Sequence, residues 1–114
     1  MSKRKQRVAP PPRADGWDCR FATSEGASGW DDLCAAASAN TRTAWEQITK
    51  DPRQRSERQH PLKGALGKRS VEGNELEQWQ YEVTGAGRIW YCIDDAKRTV
   101  WITQASVGHP KATE

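Results

Sequence analysis

Arg88 opens an apolar run, Arg88-Ile89-Trp90-Tyr91-Cys92-Ile93, and a second tryptophan, Trp101, lies on the next such run. A guanidinium flanked by indoles suits RNA. The cation grips two phosphate oxygens at once, and every base has a face that stacks on an aromatic ring. Upstream, residues 50–69 carry Lys50, Arg53, Arg55, Arg58, Lys63, Lys68 and Arg69 against only Asp51 and Glu57, with His60 among them. Acids gather earlier, at Asp18, Glu25, Asp31, Asp32 and Glu46. Such polarity suits a polyanion-facing surface, with a solvated loop as the alternative. Cleaving RNA without a metal needs few parts: a base for the 2′-hydroxyl proton, cations for the phosphorane and an acid for the leaving 5′-oxygen.

Other chemistries are less well supplied. Cys19, Cys34 and Cys92 are odd in number, widely spaced and without a C-x-x-C, so reduced structural thiols are expected. Zinc would require clustered thiolates or histidines, so neither a metal nor another cofactor is expected. No apolar run reaches the ~18–20 residues of a membrane span, and Pro10, Pro11 and Pro12 stand where a signal peptide would be apolar. A cytoplasmic protein is the expectation.

The elements that must position these residues follow from periodicity. The chain of 114 residues has room for one core, and its six tryptophans offset a hydrophobic fraction of only 35%. Residues 1–13 hold five cations and no acid, leaving the remainder net −2, with 13 basic and 15 acidic residues. With its prolines, segment 1–15 is expected to be a disordered basic tail, and 16–114 the folded domain. Trp17 to Thr23 alternates as a strand. A helix is expected to open at Ser28, with Trp30, Leu33, Cys34 and Ala37 as its apolar stripe. A second, capped by Asn40, runs over 41–50 until Pro52 stops it. Residues 53–77 read as an irregular polar segment with at most a short strand or turn near Leu62 to Leu66. Strands over 79–83, 88–93 and 98–105, joined by short turns, form an antiparallel meander. The fold class is α+β: an N-terminal strand, a two-helix hairpin, then a three-stranded meander, with the helices on one face of the sheet. Ile89, Tyr91 and Ile93 then face the helices. Arg88, Trp90 and Trp101 face the other way, onto an open groove, unless both indoles pack beneath residues 53–77.

That order of elements resembles the RelE/ParE superfamily of bacterial toxins. So do Pro61-Leu62-Lys63-Gly64 before the sheet, Gly87-Arg88-Ile89-Trp90-Tyr91, Arg98-Thr99-Val100-Trp101-Ile102 on the last strand, and Gly108-His109-Pro110-Lys111 near the end. The His-Pro-Lys-Ala-Thr-Glu ending is similar to a divergent actinobacterial branch. The resemblance implies the toxin of a type II toxin–antitoxin pair, partnered by a cognate antitoxin. RelE-like members cleave messenger RNA, typically on the ribosome; ParE-like members inhibit DNA gyrase without nuclease activity. A degenerate binding module without catalysis is a third outcome. Carried over residue by residue, Arg88 matches the family's phosphate-clamping arginine. His109 and Lys111 fall in its C-terminal basic site, as acid–base group and transition-state cation. Lys63 matches the basic position before the sheet. His60, Arg58, Trp90 and Trp101 complete the expected RNA contacts. The chain departs from the family in having no tyrosine after Tyr91.

Overall fold

The computed structural model describes residues 3–8 and 16–108. Its elements are β1 (Asp18–Phe21), α1 (Ser24–Ala36), α2 (Ser38–Lys50), β2 (Gln59–Pro61), a 3-10 turn (Gly64–Gly67), β3 (Lys68–Val71), β4 (Asn74–Glu82), β5 (Arg88–Asp94) and β6 (Thr99–Ser106). Among the described residues, no helix is long and apolar enough to cross a membrane.

The α+β class holds, but the strand layout is wider than a three-strand meander. Antiparallel β4–β5–β6 is the middle of a six-stranded sheet in the order β1-β6-β5-β4-β2, with β3 also pairing β4. β1 joins β6 in parallel. The segment 53–77, expected to be irregular, supplies β2, the 3-10 turn, β3 and the first residues of β4. The reason lies in β4, whose outer edge presents a row of backbone donors and acceptors that must be paired. Gln59–Pro61 pairs with one stretch of that edge and Lys68–Val71 with the other. Between β3 and β4, Glu72 and Gly73 both take positive φ (50° and 82°), the geometry of a two-residue hairpin turn.

The helices begin earlier than expected. Thr23, not Ser28, caps α1: its hydroxyl oxygen accepts from Gly26 N–H at 2.8 Å and donates to Thr103 O at 2.7 Å. Gly29 lies so close to β6 that a side chain there would overlap the carbonyl of Ala105. α1 therefore seats directly on the sheet, running from Thr103 toward Gly87, where an added side chain would meet Leu33. Only Ala37 separates the helices. α2 then returns, from Asn40, which donates to Val83 O, to Thr49, whose carbonyl accepts from Trp17 N–H. Ala27, Trp30, Leu33, Ala44, Trp45 and Ile48 meet Phe21, Trp79, Tyr81, Ile89, Tyr91, Ile93, Val100 and Ile102 in one core. A fully buried aliphatic or aromatic side chain here contributes about 1.5–3 kcal/mol.

Residues 3–8, expected within the disordered tail, run along β1 instead. Arg7 bridges Arg20, Val8 N–H donates to Cys19 O at 2.7 Å, and Val8 is buried in the core. The rest of the expected tail lies outside the described residues.

Candidate nucleic-acid interface

The face of the sheet away from the helices is partly roofed by its own chain. The β3–β4 hairpin folds across it. Val71 and Leu76 pack on Cys92 and Trp101, and Glu72 at the tip reaches Lys5 at 3.1 Å. A β-bulge in β6, between the pairs Trp90–Gln104 and Tyr91–Ile102, leaves Thr103 as the extra residue and turns both Thr103 and Gln104 onto this face. The Thr103 hydroxyl donates to Gln78 Oε1, and Gln78 Nε2 donates to Leu66 O at 2.8 Å. The bulge thereby moors the 3-10 turn. Trp101, expected to offer a stacking face, is a roofed core residue, 5% exposed. The adjacent Cys92 thiol is pushed up to about 12 by burial, which leaves it inert as a nucleophile.

Beyond the roof the face is open. Directly opposed residues share a side of the sheet, so the register places His60, Gln80, Trp90 and Gln104 in one row across β2, β4, β5 and β6. All four are half-buried. Trp90 is fixed by its Nε1, which donates to Gln80 Oε1 at 2.9 Å. His60 Nδ1 lies 3.3 Å from Pro61 O. A carbonyl can only accept, so Nδ1 is the donor in that contact, and Nε2 has no hydrogen-bond partner among the described residues.

The next row holds Glu82, Arg88 and Ser106. Arg88 shares the face with Trp90, as the alternation predicts, but its guanidinium folds back onto its own turn. One terminal nitrogen donates to Thr84 O at 3.1 Å, Gly85 O at 3.3 Å and Gly87 O at 3.0 Å, while the other stands 3.9 Å from Glu82. Arg88 is therefore first a staple for the β4–β5 turn. Arg58 joins this row through backbone pairing with Glu82 and donates from its guanidinium to Glu82 O at 3.2 Å. Lys63, exposed after β2, lies where the 3-10 turn begins.

Of the eight expected site residues, the open face gathers His60, Trp90, Arg88 and Arg58, with Lys63 at its edge. It hides Trp101. His109 and Lys111 lie outside the described residues; Ser106, the partner of Arg88, precedes His109 by three positions. Sequence reading missed Gln80 and Gln104, the polar members of the row. Gln80 was legible, alternating with Trp79 and Tyr81; Gln104 was not, because the bulge breaks the period of two. No family model, curated protein or solved structure matches the chain.

Proposed function

We propose that this chain is a RelE/ParE-like toxin that binds single-stranded messenger RNA on its helix-free face and cleaves it by metal-independent attack of the 2′-hydroxyl. The observation that supports this reading is the row His60–Gln80–Trp90–Gln104 beside Arg58 and Arg88: an indole for base stacking, amides for base edges and cations for phosphate on one surface. In the proposed reaction a histidine, His60 through Nε2 or His109, takes the 2′-hydroxyl proton. The 2′-oxygen then bonds to the adjacent phosphorus and the bond to the 5′-oxygen breaks. That oxygen receives its proton from the other histidine or from Lys111, leaving a 2′,3′-cyclic phosphate. Arg88 and Lys63 balance the charge of the phosphorane. A cognate antitoxin would cover the same face.

The test uses purified protein with single-stranded RNA and with messenger RNA on ribosomes, in the presence of a chelator. Cleavage with cyclic-phosphate ends is expected. His109→Ala and Arg88→Ala should each lower its rate about 100-fold, and Trp90→Ala should weaken RNA binding about ten-fold. RNA left intact by the wild-type protein in both settings ends the nuclease reading. The engagement of Arg88 by three carbonyls favours a second reading, binding without cleavage. Under it, Trp90→Ala still weakens binding or growth arrest, whereas His109→Ala changes neither. Altered DNA supercoiling would point to a gyrase-type target.

A further inference from the structure

The β3–β4 hairpin is only lightly joined to the rest of the sheet. β4 pairs with β5 from Glu77 onward, and among the described residues β3 pairs with β4 alone. Residues 68–76 therefore form a two-stranded flap, and such a hairpin is marginally stable by itself in water. Two attachments hold it across the face. Val71 and Leu76 pack on Cys92 and Trp101. Glu72 at the tip pairs with Lys5 at 3.1 Å and with Arg4 at 3.8 Å. Those ion pairs are weak, because both cations are more than half exposed and screened by salt. Both ends of the clasp also sit in left-handed backbone, Lys5 at φ 70° and Glu72 at φ 50°. Beneath the flap, Trp101 Nε1 is buried and has no hydrogen-bond partner among the described residues. A buried donor without an acceptor is costly, and lifting the flap returns it to water.

We infer that the β3–β4 hairpin is a displaceable roof over a second stacking platform: it closes on Trp101 in the free protein and lifts to admit a base of single-stranded RNA. This rests on the RNA-binding reading of the open face and adds its regulation. Cys92 and Trp101 oppose each other on the face of Trp90, in the next row toward the hairpin. The uncovered indole therefore extends the stacking surface that Trp90 begins. Glu72 is the latch, since its carboxylate holds Arg4 and Lys5 only while the roof is down. The open form is the minor one, so affinity for RNA is reduced by the fraction open, and whatever loosens the latch raises it.

Each indole N–H gives its own resonance, so hydrogen exchange at Trp101 Nε1 in the full chain reports the roof directly. Glu72→Gln and Lys5→Gln both break the shorter ion pair while changing the net charge in opposite senses. Each should speed exchange at Trp101 about three-fold and tighten binding of a single-stranded ribohexanucleotide by the same factor. Trp79 Nε1–H, bonded to Glu77 on the helix side of the sheet, is the control and should exchange at an unchanged rate. At saturation the RNA should shift the Trp101 indole resonance of the wild type. A simple charge effect would instead tighten binding in Glu72→Gln and weaken it in Lys5→Gln. That outcome, or exchange that neither variant alters, or a Trp101 resonance that bound RNA leaves in place, would overturn the roof while the RNA-binding face stands. Absence of RNA binding in all three proteins would end the RNA reading, and the platform with it, whatever exchange shows of the hairpin.

Discussion

One guanidinium holds two carboxylates at Arg53. It bonds Glu77 at 3.0 and 3.1 Å and Asp95 at 2.8 and 2.7 Å, and Trp79 Nε1 adds a bond to Glu77 at 2.9 Å. In the sequence Arg53 belongs to the polyanion-facing cations; in the fold it ties the segment after α2 to β4 and to the β5–β6 turn. The Arg53 hydrogen bonds hold the Glu77 and Asp95 carboxyls below their ordinary range. A lowered carboxyl stabilises the fold above its unfolded pKa, about 4, and the benefit is lost as pH falls through the folded value. Arg53→Ala should therefore flatten the acid limb of a plot of urea midpoint against pH. Near neutrality it should cost only about 1 kcal/mol, because all three groups are more than a third exposed and screened. Part of the acid limb should survive: burial pushes the Asp18 carboxyl up, but Arg7, Arg20 and the Cys19 amide more than offset it. An acid limb identical in wild type and variant would show that the network carries no linkage. Arg88 teaches the same lesson about legibility. Its place on the face with Trp90 followed from alternation, but its folded-back rotamer depends on three turn carbonyls that no periodicity reveals.

The helices and the meander were legible because their apolar residues repeat at 3.6 and 2.0. β2 and β3 were not. Gln59-His60-Pro61 and Lys68-Arg69-Ser70-Val71 carry little apolar signal, and what makes them strands is the unpaired edge of β4. Their turn hides too, since Glu72-Gly73 replaces the Asn-Gly or Asp-Gly that announces a hairpin. The site suffered accordingly. His60 meets Trp90 only once β2 is placed on β4, and Trp101 is lost only once the hairpin roofs it. At α1, packing opposes propensity. Gly29→Ala should gain about 1 kcal/mol as a helix-former. Its methyl would nevertheless collide with the Ala105 carbonyl, and backbone cannot rotate away as a side chain can. The expected net effect is a loss of about 2 kcal/mol or more in urea unfolding. Gly85→Ala, where an added methyl meets nothing, should change stability by less than about 0.5 kcal/mol. A stabilised Gly29→Ala protein would mean that α1 does not seat on β6 as described.

Across the molecule the cations divide into two populations. Three of the N-terminal segment are tied down: Arg4 and Lys5 to Glu72, Arg7 to Asp18. Along the β2–β3 margin, Lys63, Lys68 and Arg69 are exposed and have no ion pair among the described residues. The net charge of +3 conceals this division, and so does a linear reading that gives both clusters equal weight. Electrostatic theory separates them. A cation that meets a phosphate of single-stranded RNA releases about 0.7 of a counterion, and each such contact adds that amount to the slope of log affinity against log salt. Replacing Lys63, Lys68 and Arg69 with glutamine should therefore lower the slope by about 2. Replacing Arg4, Lys5 and Arg7 should lower it by less than 1, since those charges already face carboxylates. The N-terminal triple variant should instead show up in thermal unfolding, because Glu72 loses Arg4 and Lys5 and Asp18 loses Arg7. Equal slopes for the two triple variants would mean that the phosphate path is not set by the β2–β3 margin. The open row of His60 and Trp90 would then need a backbone route from the β1 side of the sheet.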